Sequence, residues 1–232
     1  MAIRLHELCG SDPARVFSPY CWRARMALLH KGLPHESLPW RFTEKAAIAD
    51  AGTDKVPVLR DGTRTVHDSW AILEYLEDRY PGRASLFGGE GGRALARFVA
   101  HWADTVLNPA IAVLIVSDIP ALLDPEDRAY FVRTREARFG KPLAEVTAGR
   151  EERLEGFRAG LRPLRLTLSD RPFLHGATPG AGDYIAFSGF QWARVVSPLP
   201  LLAPDDVLHA WRGRLLDAFG GVARAVPAAE RG

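Results

Sequence analysis

The stretch FSPYCWRARMALLHKG, Phe17 to Gly32, begins with Ser18-Pro19-Tyr20-Cys21, one residue away from the Cys-x-x-Cys of a thiol-disulfide enzyme. In such a pair the first cysteine attacks as a thiolate. The helix that starts there stabilises it through free N–H groups and a positive dipole end. Serine supplies no thiolate, but its hydroxyl keeps the geometry and donates a hydrogen bond. A site built on Ser18 is therefore suited to holding the thiolate of another molecule. Cys21, on the first turn of the same helix, has two readings: a reactive thiol with a lowered pKa, or small apolar packing, the commoner role.

Three other places carry chemistry of the same kind. Val56-Pro57 stands at the start of a strand, where proline marks an edge or a cis bond. A cis bond would present the Val56 backbone to a short extended peptide. Asp68-Ser69 opens a helix. It is either an ordinary N-cap or a holder for a γ-glutamyl group, whose carboxylate would meet the hydroxyl and helix N–H groups while its ammonium meets the acid. Lys45, and secondarily Lys55, are candidates for a second peptide carboxylate, against the reading of solvated surface lysines. The histidines show no metal-ligand spacing, and no metal site is expected.

The elements that must position these residues follow from periodicity. Residues 3–8 read as a strand, Pro19 to Gly32 as a helix with Trp22, Met26 and Leu29 on one stripe, and Leu33–Leu38 as a second strand. Some helix is expected over Glu44–Ala51. Val56–Leu59 and Thr65–His67 form a hairpin turning at Asp61-Gly62, and a helix runs from Asp68-Ser69 through Tyr80. Strand, helix, strand, hairpin, helix is a thioredoxin-like α/β order. After Pro81-Gly82 come four closely spaced glycines and then helical periods alone, which divides the chain into residues 1–83 and an all-α region, residues 90–232. Its helices are predicted near 93–116, 125–139, 143–168, 183–196 and 204–219. Gly180 and Asp183 have the spacing of a capping box and serve folding. Among Trp102, Tyr130, Phe187, Phe190 and Trp192, one or two facing the first domain would line a pocket for an aromatic substrate.

Composition narrows the setting. Of 232 residues 47% are hydrophobic and 25% charged, ordinary for a soluble globular protein, and a formal net charge of +2 gives no electrostatic footprint for nucleic acid. Two cysteines, Cys9 and Cys21, fit a reducing, cytoplasmic compartment. The N-terminus lacks the apolar segment of a signal peptide, and polar residues and prolines interrupt the apolar region 106–123, so no membrane association is expected.

The segments SPYCWRARMALLHKG, VPVL and DSWAILEYLEDRYP, in this order and ahead of an all-α domain, resemble the cytosolic glutathione transferases over nearly the whole chain. With HDSWAILEYL, PEDRAYFVRTREARFG and LAEVTAGRE, the sequence looks most like the bacterial β-aryl etherase and fungal etherase-like group. The resemblance implies glutathione as co-substrate, with Ser18 hydrogen-bonding its thiolate, Val56 before a cis Pro57 binding its cysteinyl backbone, and Asp68 and Ser69 holding its γ-glutamyl end. It implies a homodimer and a hydrophobic electrophile, with β-aryl ether cleavage as the specific reaction. Isomerisation, dehalogenation, peroxide reduction and non-catalytic binding are the alternatives. Two departures stand out: Gly180 where the family has Ser or Thr at a helix cap, and the long loop CGSDPARVF before Ser18.

Overall fold

Strand β1 (Ile3–Leu8) runs through the middle of a four-stranded sheet in the computed structural model, which describes residues 3–230. It pairs in parallel with β2 (His35–Trp40) on one side and antiparallel with β3 (Val58–Asp61) on the other; β4 (Arg64–His67) closes the order β2-β1-β3-β4. The parallel pair needs a crossover, which α1 (Pro19–His30) supplies. β2 begins at His35 and not at Leu33, because Pro34 has no N–H for the ladder. The helix expected over Glu44–Ala51 is a 3-10 helix, Lys45–Ala51, closed by Gly52 at φ +69°. A two-residue turn joins β3 to β4, and α2 (Ser69–Arg79) follows.

Alternation along β1 turns Ile3, Leu5 and Glu7 to the face covered by α1. Glu7 is fully buried there. Its carboxylate accepts Nε of Arg25 at 2.8 Å and the Ser37 hydroxyl at 2.6 Å, so one buried charge ties β1, α1 and β2 together. Arg25 Nη2 also contacts Glu7 and donates to Ser37 Oγ at 2.7 Å.

Beyond residue 89 every element is helical: α3 (Glu90–Trp102), α4 (Asn108–Ile115), α5 (Pro125–Phe139), α6 (Leu143–Thr147), α7 (Arg150–Gly160), α8 (Arg162–Thr167), α9 (Ala181–Val196) and α10 (Val207–Ala225). The periodicity over 93–116 reads as one helix, but α3 and α4 are separated by a π turn, Ala103–Leu107. Pro109 has no N–H to donate to the carbonyl four residues back and its ring crowds that carbonyl, so the ladder widens just before it. A 3-10 helix, Val116–Leu122, follows α4. The whole run Glu90–Leu122 is long and apolar enough to cross a membrane by length and composition. Its residues Ile111, Leu114 and Ile115 are buried in the helical core. The single helix predicted over 143–168 is three, broken at Gly149 (φ +63°) and before Pro163. Positive φ at Phe219, Gly220 and Gly221 interrupts α10.

Helix α9 is the axis of this half, packing on α1, α3, α4 and α10 with Tyr184, Phe187 and Phe190 fully buried. Asp183 caps it: its carboxylate accepts the N–H groups of Leu174 (2.7 Å), His175 (3.1 Å) and Gly180 (3.1 Å), and Nε1 of Trp211 (2.9 Å). Glycine stands at 180 because a Cβ there would lie 2.6 Å from the His175 ring. The two halves meet along α1. Arg23 pairs with Asp104 at 2.7 Å, and His30 Nδ1 meets the Tyr184 hydroxyl at 2.7 Å.

Replacing Glu7 by Ala leaves Arg25 buried and unpaired, which costs about 3–5 kcal/mol. Urea unfolding should show a midpoint lowered accordingly with an unchanged slope.

Candidate active site

Helix α1 starts at the seam between the two halves with Ser18 as its N-cap, in extended conformation; the Ser18 hydroxyl accepts the Cys21 N–H at 3.4 Å. Pro19 at the first helical position has its φ preset and contributes no N–H. Ser18 is 5% exposed and lines two adjoining hollows, so a molecule entering either one reaches its hydroxyl.

The first hollow is a cleft of about 650 Å³. The structure brings Ser18, Lys45, Lys55, Val56, Pro57, Asp68 and Ser69 together on its wall, although up to fifty residues separate them in the chain. The Val56-Pro57 bond is cis, and Val56 lies just outside the β3 ladder on the cleft wall. Asp68 caps α2: one carboxylate oxygen accepts the N–H groups of Trp70 and Ala71, both at 3.0 Å. The capping reading is thus realised, at φ +72°, a conformation that costs a non-glycine residue about 1–3 kcal/mol and collects at binding sites. The other carboxylate oxygen and the Ser69 hydroxyl carry no hydrogen bond among the described residues. Lys45 also lines the cleft, donating to Asp54 O at 2.5 Å, pairing with the Asp54 carboxylate at 3.6 Å and lying 5.0 Å from the Trp40 ring and 5.4 Å from that of Tyr130.

The second hollow, about 360 Å³, lies between α1, α4, α5 and α9. Phe17, Phe42, Val113, Val116, Ile119, Phe131 and Trp192 give it an apolar wall. Of the aromatics singled out from sequence, Tyr130 borders the first hollow and Trp192 the second. Phe187 and Phe190 are core, and Trp102 lines a separate apolar groove between α3 and α8. Sequence reasoning missed Asn108, Arg135 and Arg138, which line the second hollow; the two arginines also border the first. Pro109 was the available signal for Asn108, since a proline inside a helical period announces an irregular turn.

The other thiol candidates lie elsewhere. Cys21 is fully buried, with the Leu8 N–H directed at its sulfur at 3.4 Å; burial, reinforced by the charge of Glu7, pushes its pKa up to about 12. Cys9 is buried, raised by the same desolvation to about 11, and directed at Trp40 O. Both are free thiols. The loop from Cys9 to Phe17 folds onto the helical half: Ser11 N–H and Oγ both donate to Leu122 O, at 2.9 and 3.1 Å. A Cβ on Gly10 would lie 2.4 Å from that same oxygen. Of this loop only Phe17 lines a hollow.

Comparison with known proteins places both halves. Residues 17–79 match the model of the glutathione S-transferase N-terminal domain, and residues 94–219 that of the C-terminal domain. A probable glutathione S-transferase GSTU6 of Oryza sativa subsp. japonica is 34% identical over 88% of this chain and 84% of its own length. A maleylpyruvate isomerase of Ralstonia sp is 29% identical over 90% and 92%. For other curated relatives the chain spans 60% to 78% of their length. Among solved structures, glutathione transferase GSTFuA3 of Phanerochaete chrysosporium superposes with a TM-score of 0.76 at 25% identity, covering 96% of this chain and 93% of that one.

With both thiols buried and their pKa values raised, iodoacetamide at pH 8 should modify neither Cys9 nor Cys21 in the native protein and both after unfolding. Intact-mass measurement reads this directly, and rapid native labelling of Cys21 would restore it as a reactive thiol.

Proposed function

The chain belongs to the glutathione transferase family, whose co-substrate is glutathione, and on that premise we propose that Ser18 activates the glutathione thiol for attack on an aromatic electrophile. The observation that carries the reading is the position of Ser18. It is the N-cap of α1 and the meeting point of a polar, peptide-sized cleft with an apolar hollow. A thiol of ordinary pKa, about 8.5, is mostly protonated at neutral pH, so lowering it by one to two units raises the reactive fraction several-fold or more. The Ser18 hydroxyl and the positive end of α1 are the groups that favour the thiolate. The thiol proton leaves to solvent, the sulfur forms a bond to the electrophilic carbon, and the leaving group departs with its electron pair.

In this reading residues 1–83 hold the peptide and residues 90–232 the electrophile. Val56 pairs with the cysteinyl backbone, Ser69 and the α2 N-terminus take the γ-glutamyl carboxylate, the open oxygen of Asp68 meets its ammonium, and Lys45 reaches the glycyl carboxylate. β-Aryl ether cleavage, releasing a phenol and leaving a glutathione thioether, is the specific reaction that the sequence motifs favour. The isomerase relative supports a second reading in which the same thiolate adds to a double bond and is later expelled. Two buried free thiols fit a cytosolic setting. We further propose a homodimer that covers the apolar face of α3, where Leu95 and Phe98 are 55% and 68% exposed.

Phenol release from a model β-aryl ether ketone, with and without glutathione, tests the reaction. Ser18→Ala should lower kcat at least about tenfold and change the glutathione KM little, because the hydroxyl acts on the thiolate more than on the bound peptide. Equal turnover in the variant removes Ser18 from the mechanism. Asp68→Asn keeps an N-cap acceptor and a residue tolerant of positive φ, so its melting temperature should hold while the glutathione KM rises; an unchanged KM would leave Asp68 as a cap alone.

A further inference from the structure

The hollow assigned to the electrophile is apolar on most of its wall, but two arginines break that wall without an acid to pair with. Asn108 also borders it, but its Nδ2 and Oδ1 are shielded from the hollow, and its carboxamide neighbours the Tyr20 phenol. Arg135 and Arg138, one turn apart on α5, flank the passage between the two hollows. Arg135 donates to Thr134 Oγ1 at 3.0 Å and stacks over the rings of Phe42 and Phe131, at 5.4 and 4.9 Å. Among the described residues neither arginine forms an ion pair. The one acid on this wall, Asp104, is paired with Arg23 at 2.7 Å.

We propose that the electrophile is an aromatic compound bearing a carboxylate, with the carboxylate held by Arg135 and Arg138 at the mouth of the hollow. The proposal deepens the transferase reading and rests on it. Burial, then the neighbouring charge of Arg138, push the Arg135 guanidinium below the ordinary arginine range. An entering anion relieves both effects, whereas a neutral ring relieves neither. The planar guanidinium fork also suits a carboxylate better than a point charge would.

The test uses the full chain with glutathione and two electrophiles that differ in one charge, 4-chloro-3,5-dinitrobenzoate and its methyl ester. In each the glutathione sulfur bonds to the chlorine-bearing carbon, chloride leaves with the bonding pair, and the thiol proton goes to solvent. Rates are divided by the uncatalysed rate with glutathione for the same compound. The acid should be accelerated at least about tenfold more than the ester, a preference that falls toward one in Arg138→Gln and is reduced but not abolished in Arg135→Lys. Equal acceleration of acid and ester by the wild type overturns the proposal and leaves the transferase reading standing. So does a raised glutathione KM in Arg138→Gln with both electrophiles slowed alike, which would give the arginines to the peptide. Acceleration of neither compound counts against the transferase reading itself and takes the proposal with it. Arg138 is exposed, so its substitution leaves folding intact, and melting curves of each variant check this.

Discussion

Helix α1 is enclosed on both sides, and the rest of the structure is arranged around that enclosure. Nine of its twelve residues are buried, against the sheet on one face and α9 on the other. A helix in that position has no solvent face on which to place charge, yet its sequence carries Arg23 and Arg25. Each is answered from a different half of the molecule: Arg25 by Glu7 of β1, Arg23 by Asp104 of the π turn. The two ion pairs fix the rotation of the helix about its axis, and with it the direction in which Ser18 opens at the N-terminal end. Anchoring both flanks allows the one free end of α1 to act as a rigid electrostatic device.

The same enclosure explains why two hollows meet at one hydroxyl. The polar cleft is built from the first half's irregular segments, the cis Val56-Pro57 bond and the strained Asp68 cap. The apolar hollow is built from the regular faces of α4, α5 and α9, interrupted by a π turn. A peptide requires open backbone groups and charges. An aromatic ring requires flat, dry walls. Each half contributes the surface that its secondary structure makes readily, and only Ser18 and its neighbours Leu8, Tyr20 and Phe42, with the two α5 arginines, border both.

The elements of the first half were legible in the sequence because punctuation and period agreed there. Pro19 and Gly32 bracket α1, Gly62 sits in the hairpin turn, and Asp68-Ser69 opens α2. Ser18, Val56 and Asp68 could be singled out because each occupies a position where local chemistry is unusual. The boundaries slipped where proline removes a ladder donor, as at Pro34, or where a helical period continues across Gly149 and Pro163 while the backbone does not. Arg135 and Arg138 were invisible for a different reason. On a helical wheel Arg135 and Arg138 read as the solvated side of α5, and nothing local says that Phe42, brought from residues before the 3-10 helix, will stack beneath Arg135. Their isolation from any acid is a property of tertiary packing that no spacing encodes.

The contact between Gly10 and Leu122 bears on how such a molecule can change over generations. The backbone at Gly10 approaches the Leu122 carbonyl so closely that no side chain fits, and Ser11 places two further hydrogen bonds on the same oxygen. The loop leading to Ser18 is therefore moulded on a turn of the other half, and that turn, Val116–Leu122, also supplies Val116 and Ile119 to the electrophile's wall. A helical half borrowed from a relative would bring a different turn and leave the loop without its mould. Recombination between cousins is penalised at this seam, and new substrates are reached more readily by single changes along α4 and α5 than by exchange of whole halves.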